Sequence, residues 1–213
     1  MDRDDLRVHL LGQGIEPRVV QALVSVPRDR FVPAAQRDRA WADHALGIGH
    51  GQTISQPFVV ATMVQAADVR PGDRVLDVGA GSGYQAAVLA ACGAQVHAVE
   101  RIPALAARAR AVLGELGCVV DLRVGDGTQG LADVAPFDAV LVAAATPTVP
   151  PALLAQLREP GPSRPGGRLV IPVGPSSARS GSQELILVTR SGGGYVPRRL
   201  LDVVFVPLIW DGG

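Results

Sequence analysis

Val75-Leu76-Asp77-Val78-Gly79-Ala80-Gly81-Ser82-Gly83-Tyr84 is the stretch on which the fold turns. The apolar run Val75 to Val78 reads as a short buried strand, three alternating glycines break it, and an Ala- and Leu-rich helix follows to about Ala91. In an open α/β sheet, ligands sit beyond the carboxyl ends of strands, where such a turn lies. Glycines let the backbone approach a ligand closely, and a helix N-terminus offers amide donors. Glu100 closes the next apolar run, Val96 to Val99, 21 residues after Gly79. That spacing suits a carboxylate accepting hydrogen bonds from a ribose diol. A dinucleotide fingerprint requires a further glycine at position 84, where this chain has Tyr84. A nucleoside without a pyrophosphate therefore fits better, and S-adenosylmethionine leads the candidates; a plain tight turn is the bland alternative.

The pattern continues on either side. Val119 to Val124 reads as a third strand ending in Gly125-Asp126-Gly127, which sets a carboxylate and an amide where an adenine ring would lie. An ordinary Asp-Gly turn is the competing reading. Ala139 to Ala143 is a fourth strand, Pro151 to about Leu157 a helix, and Arg168 to Ile171, Glu184 to Thr189 and Val203 to Val206 further strands. Strand and helix in alternation predict a doubly wound, mostly parallel α/β sheet with helices on both faces. No helix separates the last two strands, which predicts an antiparallel edge hairpin. Glu159 to Gly167 and Pro175 to Ser182 read as loops. Upstream, Leu6, Leu10 and Leu11, then Val19, Val20, Leu23 and Val24, recur at helical spacing. A Gly-rich stretch, Gly47 to Thr53, leads to Ile54-Ser55-Gln56-Pro57, with Pro57 placed as the first residue of a helix and Ser55 or Gln56 near its cap. One domain over 1–213 is expected, with a helical region and loop over 1–56 and the sheet over 57–213.

Composition sets the outer bounds. The 213 residues carry 20 basic and 20 acidic side chains, so the formal charge is zero and no whole-molecule nucleic-acid footprint exists. With 47% apolar and 19% charged residues, the chain reads as a soluble globular protein. The longest apolar run, near Ala139 to Ala145, falls far below the ~20 residues of a membrane span. The charged start Met1-Asp2-Arg3-Asp4-Asp5 lacks the apolar stretch of a signal peptide, so a cytoplasmic monomer is expected. Cys92 and Cys118 form no metal-ligand or redox pattern, and no metal is expected.

The chain resembles the protein-L-isoaspartate O-methyltransferase family. The resemblance is carried by Arg30-Phe31-Val32-Pro33, Ala40-Trp41-x-Asp43, Gly51-Gln52-Thr53-Ile54-Ser55-Gln56-Pro57, the glycine turn, Val99-Glu100-Arg101, Gly125-Asp126-Gly127, Pro172-Val173-Gly174 and Phe205-Val206-Pro207-Leu208. The Thr-Ile-Ser-Gln-Pro block is its most specific part. The resemblance implies a Rossmann-like methyltransferase fold with a seven-stranded sheet whose last strand is antiparallel, and S-adenosyl-L-methionine as methyl donor. It implies methylation of the free α-carboxylate of L-isoaspartyl residues in damaged proteins and peptides; the ester then closes to a succinimide that opens partly to normal aspartate. Carried over, Ser55 takes the active-site position. Thr53, Ile54, Gly79, Ala80, Gly81, Ser82, Glu100, Arg101, Asp126 and Gly127 take the donor side, and Gln56 and His50 join Ser55 on the substrate side. Arg101 also reads as a solvated charge, and His50 as a loop residue rather than a base. Arg158 to Pro165 lengthens a connection that is short in the family, and Trp41 stands where Tyr is commoner.

The chemistry is consistent with this set. A carboxylate with an ordinary pKa of ~3.3–3.7 is already ionised at neutral pH, so attack on a sulfonium methyl needs no general base. Ser55 is expected to orient the substrate carboxylate as a hydrogen-bond donor, with capping of the helix at Pro57 as its alternative role. Two other readings keep the fold: a methyltransferase acting on another peptide or small-molecule acid, and a non-catalytic binder that retains the nucleoside pocket. Asp211-Gly212, an easily cyclised pair, is further read as a self-substrate.

Overall fold

The computed structural model describes residues 1–175 and 182–210. The chain opens with α1 (Arg3–Gly12), capped by Asp2, and α2 (Pro17–Ser25). Two 3-10 turns follow, Arg28–Phe31 and Ala34–Arg39. Next comes a small antiparallel hairpin of β1 (Leu46–Gly49) and β2 (Gln52–Ile54), then α3 (Pro57–Ala66). The main sheet is built from β3 (Arg74–Val78), β4 (Gln95–Glu100), β5 (Val120–Val124), β6 (Ala139–Val142), β7 (Arg168–Val173), β8 (Gln183–Ser191) and β9 (Gly194–Val203). Its order is β5-β4-β3-β6-β7-β8-β9. Helices α4 (Tyr84–Ala91), α5 (Pro103–Glu115) and α6 (Pro151–Ala155) connect the strands.

Strands β5, β4, β3, β6 and β7 pair in parallel, and strand order reverses between β3 and β6. A crevice opens at the carboxyl end of the sheet at such a reversal. Both faces of β3 and β6 are buried, as a parallel sheet requires. Val75 and Leu141 join a core under α1 to α5, whereas Leu76, Val78 and Val142 join a second core with Leu153, Leu157 and Leu208. The covering is unequal. Helices α1 to α5 pack one face, while the five-residue α6, neighbouring loops and the segment around Leu208 cover the other.

Three expectations are corrected. The Gly-rich stretch before Ser55 is a hairpin, turned by His50 and Gly51 with φ of 54° and 71°. Two consecutive residues of positive φ give the twist that suits a two-residue hairpin turn. The strand reversed against the rest is the sixth, β8, rather than the last: β9 pairs antiparallel to β8 and so runs with the parallel set. Finally, β9 spans Gly194–Val203, not Val203 to Val206. Pro197 hid it, since proline is confined to edge strands such as this one. Phe205 to Leu208 instead crosses the crevice, tied by Ala145 N to Val206 O and Leu208 N to Ala145 O, both 2.8 Å.

The connection from Arg158 to Pro165 lies at the opposite end of the sheet. Arg158 pairs with Asp138, and Arg164 reaches Asp73 at 3.3 Å, both acids standing just before strands. Positions 176–181 of the loop predicted near Pro175, and the Asp211-Gly212 pair, lie outside the described residues. No helix among the described residues is long and apolar enough to cross a membrane.

The glycine turn is sterically fixed. Gly83 has φ of 86°, and a Cβ there would lie 3.1 Å from Ala109 Cβ and 3.2 Å from Leu113 Cδ1 on α5. Gly83→Ala is expected to cost about 1–3 kcal/mol of stability through strain and overpacking, read as a lower urea midpoint with unchanged slope.

Candidate active site

The crevice at the strand reversal holds most of the residues singled out from sequence. A cleft of about 480 Å³, counting the space open to solvent, is lined among others by Thr53, Gly79, Gly81, Glu100, Arg101 and Gly127. Its other wall is the crossing segment Val206 to Ile209. An inner hollow of about 300 Å³ adjoins it, lined by Thr53, Ile54, Ser55, Ala80, Ser82 and Gln85 among others. A third, outward-facing groove of about 1020 Å³ carries Thr53, Ser55, Gln56, Phe58, Asp202 and Val204. Thr53 lines all three hollows and Ser55 two of them.

The floor is held by backbone amides. Gly79 N and Ala80 N donate to Val99 O, at 2.9 and 3.2 Å. Gly81 N donates to Glu100 Oε2 at 2.7 Å, and Ile102 N to Oε1 at 2.8 Å. The amides of Gly79, Ala80 and Gly81 are thus committed to the protein. The turn supplies close approach, and the Glu100 carboxylate supplies remaining lone pairs. Gly127 lines the same cleft, and a Cβ there would fall 2.5 Å from Val78 Cγ1, so only glycine fits. Asp126 beside it accepts from Thr128 N and Thr128 Oγ1 at 2.9 and 2.8 Å. His50 sits at the exposed hairpin tip and lines none of the three hollows.

The loop bearing Ser55 is held by residues that the sequence reading gave no role. Asp43 Oδ1 accepts from Phe58 N at 2.8 Å, in the first turn of α3, and Oδ2 from Gln56 Nε2 at 3.0 Å. His9 Nε2 lies 3.1 Å from the same oxygen. Capping of α3 thus falls to Asp43, and Ser55 is released from that alternative role. From the other side, Arg28 donates to Ser55 O. Neither partnership is local in sequence; the available hint was a charged Arg28 set between the buried Val26 and Phe31.

Beneath the inner hollow lies a buried polar pair. Asp77, at the end of β3, is fully buried and accepts from Gln85 Nε2 at 2.7 Å. Asp77 Oδ2 and Gln85 Oε1 have no partner among the described residues. Burial pushes the Asp77 carboxyl up to about 7, opposed by the Gln85 hydrogen bond and reinforced by the Glu100 charge. No group of three His, Cys, Asp or Glu able to hold a metal occurs among the described residues.

A cleft at the strand reversal, with an acid from the neighbouring strand, is where a Rossmann-like α/β sheet holds a nucleoside ligand, as in the methyltransferases of that class. Comparison with known proteins sharpens the class. The family model described as protein-L-isoaspartate(D-aspartate) O-methyltransferase matches residues 2–211, and the chain belongs to that family. A protein-L-isoaspartate O-methyltransferase of Methylorubrum extorquens is 51% identical, over 96% of this chain and 86% of its own. Its namesake from Roseiflexus castenholzii is 52% identical, over 94% and 88%. A Plasmodium falciparum structure described as a beta-aspartate methyltransferase, in complex with S-adenosyl-L-homocysteine, is 25% identical with a TM-score of 0.81, covering 98% of this chain and 99% of that one.

The Asp77 environment yields a signed prediction. The native carboxyl keeps its proton to about pH 7 while the unfolded one ionises near 4, so stability falls as pH rises through that window and levels above it. Asp77→Asn does not titrate. Its unfolding free energy relative to the parent is expected to climb between pH ~4 and ~7, by at most about 4 kcal/mol, and then stay level. A pH-independent difference in urea titrations would contradict the assignment.

Proposed function

We propose that this chain performs the repair methylation of its family, with Ser55 orienting the acceptor where the inner hollow meets the outer groove. The protein transfers a methyl group from S-adenosylmethionine to the free α-carboxylate of an L-isoaspartyl residue in a damaged protein or peptide. When bound, the donor supplies a sulfonium methyl open to displacement. A carboxylate oxygen forms the new C–O bond, the S–CH₃ bond breaks, and its electron pair stays on sulfur. No proton changes hands.

The residues present fit this donor. Glu100 has lone pairs free for a ribose diol, and Gly127 and Ile102 flank the space for a base. The unpartnered Gln85 Oε1 on the inner hollow, backed by Asp77 Oδ2, would accept from the ammonium of the methionyl end. Thr53 and Ile54 separate donor from acceptor. Ser55 faces the inner hollow and the outer groove together, and this single observation carries the reading. Its hydroxyl donates to the carboxylate entering from the groove, with Gln56 beside it. What remains for the protein is alignment and exclusion of water, and well-oriented partners gain roughly 7–11 kcal/mol in this way.

A hydrogen bond to a charged group is worth about 1.5–3 kcal/mol. Ser55→Ala is therefore expected to lower kcat by roughly ten- to a hundredfold. Affinity for S-adenosylhomocysteine, measured by calorimetry, should change little. Equal loss of both would contradict the role given to Ser55. Label from methyl-labelled donor should enter an isoaspartyl peptide and not its aspartyl twin; label on some other acid alone would favour the alternative acceptor, and donor binding without transfer the non-catalytic one.

A further inference from the structure

Arg28 sits in the 3-10 turn after α2 with no solvent exposure at all. Its Nε donates to Ala40 O at 2.8 Å, and its Nη2 donates to Ser55 O at 2.8 Å and lies 3.4 Å from His44 O. The guanidinium carbon stands 4.8 Å over the ring centroid of Tyr84. Tyr84 is equally buried, meets Phe31 edge-on at 5.6 Å, and opens α4 directly after Gly83. Among the described residues no carboxylate forms an ion pair with Arg28, and its Nη1 has no hydrogen-bond partner.

A buried cation bonded to neutral carbonyls, with the Asp43 charge acting on it only from beyond ion-pair distance, is a poor way to fill space, because desolvation opposes it and an apolar side chain of similar volume packs without that cost. What arginine offers here is a planar fork that serves several acceptors while stacking on an aromatic ring. One rigid group thereby joins the loop around Ala40 and His44, the backbone of Ser55, and the first residue after the glycine turn. The link matters because Ser55 belongs to the acceptor side and the turn to the donor side. A displacement of about 1 Å between reacting partners can cost about a hundredfold in rate.

We propose that Arg28 is a positioning residue: it fixes the Ser55 segment against Tyr84 and so sets the distance between the acceptor carboxylate and the donor methyl. This rests on the role given to Ser55 above. Arg28 touches neither substrate; it acts through the Ser55 carbonyl.

The test is a double-mutant cycle on the full chain, with Arg28→Met, Ser55→Ala and their combination. For each, kcat on an isoaspartyl peptide, affinity for S-adenosylhomocysteine and thermal midpoint are measured. Arg28→Met is expected to lower kcat about ten- to a hundredfold while nucleoside affinity stays within about threefold. In the Ser55→Ala background the same change should lower kcat by less than about threefold, because its effect passes through Ser55. Should Arg28→Met fail to fold, Arg28→Lys, which keeps the charge but loses the fork, is expected to show a several-fold loss with the same non-additivity. Full additivity with an impaired Ser55→Ala overturns the inference, as does a fall in nucleoside affinity matching the fall in kcat. An unimpaired Ser55→Ala overturns the role of Ser55 itself, and this inference with it, so the two failures are told apart.

Discussion

The hydrogen bond from Gly81 N to the Glu100 carboxylate organises the molecule around it. It is charge-assisted and partly buried, and such bonds are shorter and roughly twice as strong as neutral ones. Together with the Val99 carbonyl, which takes the amides of Gly79 and Ala80, it locks the glycine turn to the neighbouring strand. The floor of the cleft is thus held by the protein's own hydrogen bonds. The same bond aims Glu100, whose two oxygens are each held by one amide. Everything on the acceptor side is then measured from this fixed floor.

That arrangement matches what the reaction demands. The acceptor is already anionic and the donor already activated, so the protein has little bond-making assistance to give and much geometry to impose. Its polar groups near the centre are accordingly hydrogen-bonding and steric elements: a serine hydroxyl, a threonine, glycine backbone and one oriented carboxylate. The precision sits in the supports, with Asp43 gripping the start of α3 and Arg28 gripping the Ser55 carbonyl from the other side.

How much of this was legible follows from how local each feature is. The turn from Gly79 to Gly83 and the acid at Glu100 were readable because strand, turn and helix are fixed by adjacent residues and a characteristic spacing. Gly127 was readable at the end of its strand, although the reason for it, contact with Val78, was not. The His50-Gly51 hairpin escaped because a histidine at positive φ carries no strong signal. Strand β9 escaped because Pro197 and the consecutive Arg198 and Arg199 break the alternation that marks a strand, and its pairing with β8 decides it instead. Arg28 and Asp43 escaped for a different reason. Their hydrogen-bond partners lie 12 to 27 and 13 to 34 residues away, so nothing short of the tertiary structure brings them together.

The brace formed by Arg158 and Arg164 runs across the amino ends of the strands, with the length of the strands between it and the cleft. The chain there is moored by ion pairs to Asp138 and Asp73 and contributes no residue to the three hollows. One pole of the molecule can therefore lengthen at small entropic cost. The other pole, where a misplacement of about 1 Å can cost about a hundredfold in rate, has no such latitude.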